Sequence, residues 1–239
     1  MSEAAVPERR RRQRRGGIVG FLRDLLVILV VAFLVSFLLK TFLVRSFFIP
    51  SGSMENTLQI DDRILVNQLV PDVVDVQRGD IVVFKDPGGW LAPRGTLPPQ
   101  GFEKFLQTIG LAADTSEEYV VKRVIGVGGD RVSCCDAQGR VQVNGVSIDE
   151  PYIVIPPGET AASAKTFDVT VPKDSFWVMG DNRYASKDSR YNQDQPGKGF
   201  VTKGEIVGRA FVLNWPLNHF KWLNVPDGTF TGVDEAKKK

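Results

Sequence analysis

The sequence predicts a mainly β fold: a β-rich domain placed after a single N-terminal transmembrane helix. Three observations carry this. An uncharged apolar run lies near the N-terminus, short strand-like runs divided by turn residues follow it, and an Asn-Gly pair sits between two alternating segments. With 239 residues and 43% hydrophobic content, the chain can build one sizeable core plus a membrane segment and is too well mixed to be disordered.

The net charge of +2 is unevenly spread, because Arg9, Arg10, Arg11, Arg12, Arg14 and Arg15 crowd the start of the chain. Such a run can bind nucleic acid or anionic lipid, or set membrane orientation, and the segment after it selects among these. Leu25 to Leu39 carries no charge, and the stretch reaches Val44 if Lys40 snorkels toward the interface. At about 1.5 Å per residue, the extended run matches the thickness of a bilayer core. The expected layout is a cytoplasmic basic tail over 1–23, a transmembrane signal-anchor helix over 24–45, an extracytoplasmic β-rich domain over 46–226 and a frayed polar tail over 227–239. The expected location is the cell membrane, crossed once, with lipid as a partner and no nucleic acid. A cleaved leader is the competing reading, since Ser51 and Ser53 offer a small-x-small site. Against it stand the length of the apolar run and the flanking Arg23, Asp24, Lys40 and Arg45.

Strands are expected at Ile64–Val66, Ile81–Phe84, Tyr119–Ile125, Phe167–Val171, Phe176–Met179 and Ile206–Leu213. Asn144-Gly145, between Val141–Val143 and Val146–Ile148, signals a two-residue hairpin. Residues 86–118, rich in Gly and Pro, read as an insertion containing a short helix over Phe102–Leu111. Its Phe102, Phe105, Leu106 and Ile109, with Trp90 and Leu91, would touch lipid, cover a site or, more simply, pack on the sheet as a surface excursion. Cys134 and Cys135 are adjacent and read as a labile bridge or two thiols. With one histidine they cannot complete a four-ligand zinc site without carboxylates, and neither metal nor cofactor is expected.

Three segments bear on chemistry. Ile49-Pro50-Ser51-Gly52-Ser53-Met54 follows the span directly, with Gly52 free to permit close approach or positive φ and Pro50 stiffening the entry. Alone, Ser-Gly-Ser is a linker motif. A serine nucleophile needs a base, and nothing around His219, the sole histidine, suggests a positioned imidazole. A lysine can serve if an apolar site brings its pKa near 7–8. Lys122 alternates with Val120 and Val124 and so is aimed at an apolar face. On these residues alone, an edge strand with Lys122 in water is the stronger reading. Third, Gly180–Arg190 is a polar block leaving the apolar Phe176–Met179, which points to an internal hydrogen-bond network with Asp188 and Arg190 as a charge pair. It lacks the ligand pattern of a calcium loop. Gly126-Val127-Gly128-Gly129 likewise lacks the Gly-Lys-Ser/Thr ending of a phosphate loop.

Taken in order, the anchor, Ile-Pro-Ser-Gly-Ser-Met, Gly-Asp-Ile-Val-Val-Phe at 79–84, Tyr-Val-Val-Lys-Arg-Val-Ile-Gly with Gly-Gly-Asp-Arg-Val at 119–132, and Gly-Asp-Asn-Arg with Ser-x-Asp-Ser-Arg at 180–190 resemble the bacterial type I signal peptidases. The resemblance covers about residues 25–213. It implies a signal-peptidase-like β-rich catalytic domain with a second, more variable β-region near 133–175. It implies a serine endopeptidase that removes signal peptides from exported preproteins at the membrane surface, after small-x-small sequences. By resemblance, Ser53 is the nucleophile, Lys122 the general base and later acid, and Ser51 an oxyanion donor beside the Ser53 N–H. Ser186 orients the lysine, Asp188 and Arg190 support the site, and Ile49 and Val121 line the substrate pockets. Departures are Glu55-Asn56-Thr57, where the family often has a proline before the threonine, the unmatched 86–118 insertion, and adjacent rather than spaced cysteines. Two other readings stay open. A self-cleaving Ser/Lys protease of the repressor type is opposed by the membrane span, and a tethered domain binding exported peptides without turnover is opposed by the presence of both Ser53 and Lys122.

Overall fold

The apolar run forms helix α1, Ile18–Phe42. A computed structural model describes residues 17–91, 101 and 119–237, apart from the side chains of 38–42. By their contacts the residues divide into Met1–Leu38 and Leu39–Lys239. Ile18–Phe37 has a mean hydropathy of 2.7 and no protein burial, and is the one helix among the described residues long and apolar enough to cross a membrane. Arg23 and Asp24 fall inside it, paired at 2.9 Å. The helix departs from the expected 24–45 at both ends. It starts at Ile18, and strand β1, Val44–Phe48, already holds the last two residues of the expected span. Val44 pairs with Asn67, and the Arg45 guanidinium lies over the rings of Phe47 and Tyr119, so the chain has turned to β structure there.

Every expected strand forms. The chain continues through β2 Arg63–Asn67, β3 Ile81–Lys85, β4 Tyr119–Val127, β5 Arg131–Cys134, β6 Val141–Val143, β7 Val146–Ser147, β8 Phe167–Thr170, β9 Ser175–Met179, β10 Val201–Thr202, β11 Ile206–Trp215 and β12 Lys221–Trp222. Among the described residues these make two antiparallel sheets. The larger runs β1-β2-β11-β3-β4-β9-β10 with β12 on β11, and the smaller runs β7-β6-β5-β8. Asn144 and Gly145 take φ of 53° and 80°, the positive pair that a tight hairpin of matching twist demands, and join β6 to β7.

Alternation sorts the core. In β3, Val82 and Phe84 join Val120, Val124 and Val178 on one face, while Ile81 and Val83 join Phe47, Ile49, Met54, Leu58 and Ile64 on the other. The smaller sheet buries Val132, Val141, Val143 and Phe167 with Trp177 and Met179 of β9. Trp90 is buried against Phe84, as a surface excursion packed on the sheet would place it, whereas the expected helix over Phe102–Leu111 lies outside the described residues. Cys134 and Cys135 are joined by a disulfide.

The polar C-terminal segment is folded rather than frayed as far as it is described. Helix α2, Val233–Ala236, inserts the fully buried Val233 into the core of the smaller sheet, with Phe230 packed beside it. Lys237 donates to the Gly128 carbonyl and pairs with Asp130, and Asp234 pairs with Arg78. Two apolar anchors, Phe230 and Val233, and two charges, Asp234 and Lys237, override a composition that reads as tail.

Candidate active site

Strand β4 lies between β3 and β9, with Lys122 opposite Val82 and Arg123 opposite Met179. The reading of Lys122 as facing water therefore fails on burial, although β9 reaches β4 only from Arg123 onward and Lys122 itself pairs with β3 alone: alternation gives the direction of a side chain but not what packs over it. Lys122 is 4% exposed. Its Nζ stands 2.6 Å from Ser53 Oγ and donates to the Val121 carbonyl at 3.0 Å. Burial strips water from the ammonium and draws its pKa from 10.5 down to about 8; the charges of Asp188 and Asp181 oppose the shift and Arg190 adds to it. The un-ionised amine is thus accessible near neutral pH, at hydrogen-bond distance from a hydroxyl whose proton it can accept.

Ser53 occupies a single 3-10 turn, Gly52–Met54, closed by the Glu55 N–H on the Gly52 carbonyl at 3.1 Å. Buried Met54 and Leu58 pin the turn from beneath, and Ile49 is fixed by exchange with the neighbouring loop, its N–H on the Asp62 carbonyl at 2.9 Å and its carbonyl accepting the Asp61 N–H at 3.0 Å. Gly52 is used for close approach, because the Glu55 carboxylate lies 2.6 Å from where its Cβ would be. Ser51 Oγ is exposed, 3.4 Å from Ser53 Oγ. Ile49 is buried in the apolar cluster of Phe47, Ile64 and Val83, and the partly buried Val121 packs against the same cluster.

The polar block after β9 forms the expected network. Asp188, fully buried, accepts Arg190 Nε at 2.8 Å and its terminal nitrogen at 2.7 Å, the Gly180 N–H at 2.9 Å and the Ser186 hydroxyl at 2.8 Å. Burial alone would raise its pKa, but Arg190 and these donors hold the carboxyl below the ordinary value. Ser186 thus spends its proton on Asp188; the hydrogen bonds of Lys122 among the described residues go to Ser53 and Val121 instead. Gly180 is obligatory, since a Cβ there would stand 2.4 Å from the Ser53 carbonyl oxygen and 2.3 Å from Ser186 Oγ.

His219 sits elsewhere, its Nδ1 3.0 Å from Asp62 Oδ1. The sequence reading missed a second buried network. Arg123 grips Asp181 through two nitrogens at 2.8 and 2.6 Å, Thr57 donates to the same carboxylate, and the guanidinium lies 3.8 Å from the Tyr152 ring centre. Arg183 pairs with Glu150 in turn. Only the density of polar residues in 180–190 hinted at this. No group of three or more metal-ligating side chains occurs among the described residues.

Residues 22–215 match the family model described as signal peptidase, peptidase S26. The chain belongs to the signal peptidase family. A probable signal peptidase I-2 of Synechocystis is 36% identical over 189 residues, covering 79% of this chain and 71% of that protein. Signal peptidase I of Mycobacterium tuberculosis is 34% identical over 218 residues, with 82% and 73% covered. Signal peptidase IB of Staphylococcus aureus is 28% identical over 221 residues, with 87% and 97% covered. Family membership makes the chain a serine endopeptidase that removes signal peptides from preproteins. The matched span holds both Ser53 and Lys122 and ends with β11, so β12 and α2 fall beyond it.

Proposed function

We propose that Ser53 Oγ attacks the scissile carbonyl of a preprotein while Lys122 Nζ takes its proton, then returns it to the departing amine and activates water against the acyl-enzyme. The contact of 2.6 Å between a buried amine and the Ser53 hydroxyl carries the reading. Ser51 Oγ and the Ser53 N–H stabilise the oxyanion. Val121 O holds the lysine from behind, and Ser186 acts through Asp188, whose charge, together with that of Arg190, tunes the amine.

The peptide binds as an added strand between β1 and the first half of β4. Among the described residues β1 pairs only with β2, and residues 119–122 pair only with β3, because β9 ends opposite Arg123. The Phe47 and Tyr119 rings, 5.2 Å apart, bring these two edges together, and Ile49 and Val121 restrict the pockets to small side chains. Helix α1 anchors the chain in the cell membrane with its basic N-terminus in the cytoplasm and the β domain outside. Exposed Trp215, Leu217, Phe220 and Trp222 suit contact with lipid. Nucleic acid plays no part.

Purified protein in detergent should cleave a preprotein, with the product's new N-terminus sequenced to locate the cut. Ser53→Ala and Lys122→Ala should each abolish cleavage, and His219→Ala should not; cleavage surviving loss of Lys122 would sink the dyad.

A further inference from the structure

We propose that Asn182 is a positioning residue for the peptidase reaction, fixing the Gly52–Met54 turn so that both the hydroxyl and the backbone amide of Ser53 stay aimed at the scissile carbonyl. The proposal rests on the reading of Ser53 as nucleophile. Three hydrogen bonds from Asn182 converge on that turn. Its backbone N–H donates to the Ser53 carbonyl at 3.1 Å, and its Nδ2 donates to the Gly52 carbonyl at 3.2 Å and the Glu55 carboxylate at 3.1 Å.

The bond to Gly52 matters most. A peptide group is planar and trans, so the Gly52 carbonyl and the Ser53 N–H are rigidly opposed members of one unit. Holding the oxygen with Nδ2, beside the Glu55 N–H that closes the turn on the same carbonyl at 3.1 Å, aims the N–H the other way. The bond to the Ser53 carbonyl fixes the next peptide unit, and the two together set the Cα from which Oγ reaches Lys122. Glu55 completes the clamp, its carboxylate lying against Gly52 where a side chain would stand.

The anchor itself is firm. The peptide joining Asp181 and Asn182 accepts the Val154 N–H at 2.9 Å, Val154 bridges to Asn182 in parallel pairing, and the Ala185 N–H donates to the Asn182 carbonyl at 3.2 Å. The Asp181 carboxylate is held by Arg123. Asn182 thus transmits the rigidity of β4, β9 and the 150–156 loop to a turn that is half-exposed at Ser51–Ser53.

The test is steady-state cleavage by the full chain in detergent, with the folded fraction followed by unfolding midpoint. Asn182→Ala should lower kcat by about 10²-fold with KM within about threefold, the scale expected when reacting groups are displaced by roughly 1 Å. Asn182→Asp should do more, since it sets a carboxylate against both the Gly52 carbonyl and Glu55. Adding Glu55→Gln to Asn182→Asp restores a donor–acceptor pair between positions 182 and 55 but not the bond to the Gly52 carbonyl, and so should recover about tenfold of the lost kcat and no more. Should Asn182→Asp not fold, the cycle of Asn182→Ser with Glu55→Ala decides: coupled losses in kcat support the clamp, and additive losses overturn it. A folded Asn182→Ala enzyme with full kcat, or an Asn182→Asp enzyme unrescued by Glu55→Gln, also overturns it. Ser53→Ala separates the two readings: activity in that variant overturns the nucleophile, whereas its inactivity beside a fully active Asn182→Ala enzyme overturns the positioning role alone.

Discussion

Lys122 and Asp130 are both ionisable residues taken out of water in one β domain, yet their surroundings treat them in opposite ways. Asp130 touches its counter-ions: Arg78 donates through two nitrogens at 2.7 Å each, Lys237 lies 2.9 Å away, and Val127 N–H and Asn144 add neutral donors. Burial would raise its pKa, but Arg78 and these donors hold the carboxyl at about 2. Lys122 touches only a hydroxyl and a carbonyl. The carboxylate that faces it, Asp188, is already engaged by Arg190, whose own charge opposes the attraction. Burial with the counter-ion in contact holds a charge in place, and burial with the counter-ion engaged elsewhere lowers the pKa of the amine that we propose as the base.

Exchanging each residue for an uncharged one should break this comparison most sharply. Lys122→Met should reduce cleavage by roughly 10³-fold or more, yet raise stability by about 1–3 kcal/mol at neutral pH, because a buried ammonium has been replaced by an apolar chain. Asp130→Asn should behave in reverse, costing about 3 kcal/mol by leaving Arg78 with only the exposed Asp234 as counter-ion, while the folded enzyme keeps its turnover. Chemical denaturation beside kinetics measures both. A destabilised Lys122→Met, or an inactive but stable Asp130→Asn, would invert the assignment.

Titration sharpens the same contrast. The cleavage rate, as kcat/KM, should rise with pH about a midpoint near 8 as Lys122 loses its proton. Removing a negative charge that favours the ammonium should move the midpoint down, so Asp188→Asn should shift the profile toward acid; a shift toward base would refute the electrostatic role. The stability effects run oppositely. The folded pKa of Lys122 lies below its unfolded value, so the penalty of burying it is complete below about 8 and is relieved as pH climbs to 10.5. That of Asp130 also lies below its unfolded value, but for an acid this means stability that is present above 3.8 and lost as pH falls through about 2.

Much of the frame was legible in the sequence because it depends on local pattern. Strand runs have period two, and Asn144-Gly145 has one favoured turn, so the strands and hairpin could be read without neighbours. Burial of Lys122 could not, because it depends on segments distant in the chain, the Ser53 turn and the polar block over 180–190, arriving beside β4. Arg123 was hidden because Asp181, its partner, is 58 residues distant, and nothing in the local pattern of β4 points to it. The Ser53 turn offered the residues of a nucleophile but not the Asn182 bonds that hold it. The C-terminal segment failed differently, since Val233 and Phe230 are too sparse to register as a core pattern although each finds an apolar site.

The smallest effect should come from a pair that differs from Arg78–Asp130 mainly in exposure. Arg131, the next residue along the chain from Asp130, donates through two nitrogens to the Asp168 carboxylate across β5 and β8. The geometry is as good as at Asp130, and the bonds from Arg131 draw the Asp168 carboxyl below its ordinary value. Their side chains, however, are 67% and 52% exposed, against 10% and 0% for Arg78 and Asp130. Water solvates both partners when the pair is broken, and salt screens it when made. Asp168→Asn should therefore leave the unfolding midpoint at physiological salt where it was, and whatever difference appears at low salt should fade as salt is added. A loss matching that of Asp130→Asn would mean that bond geometry, not removal from water, separates the buried charges of this domain from its surface ones.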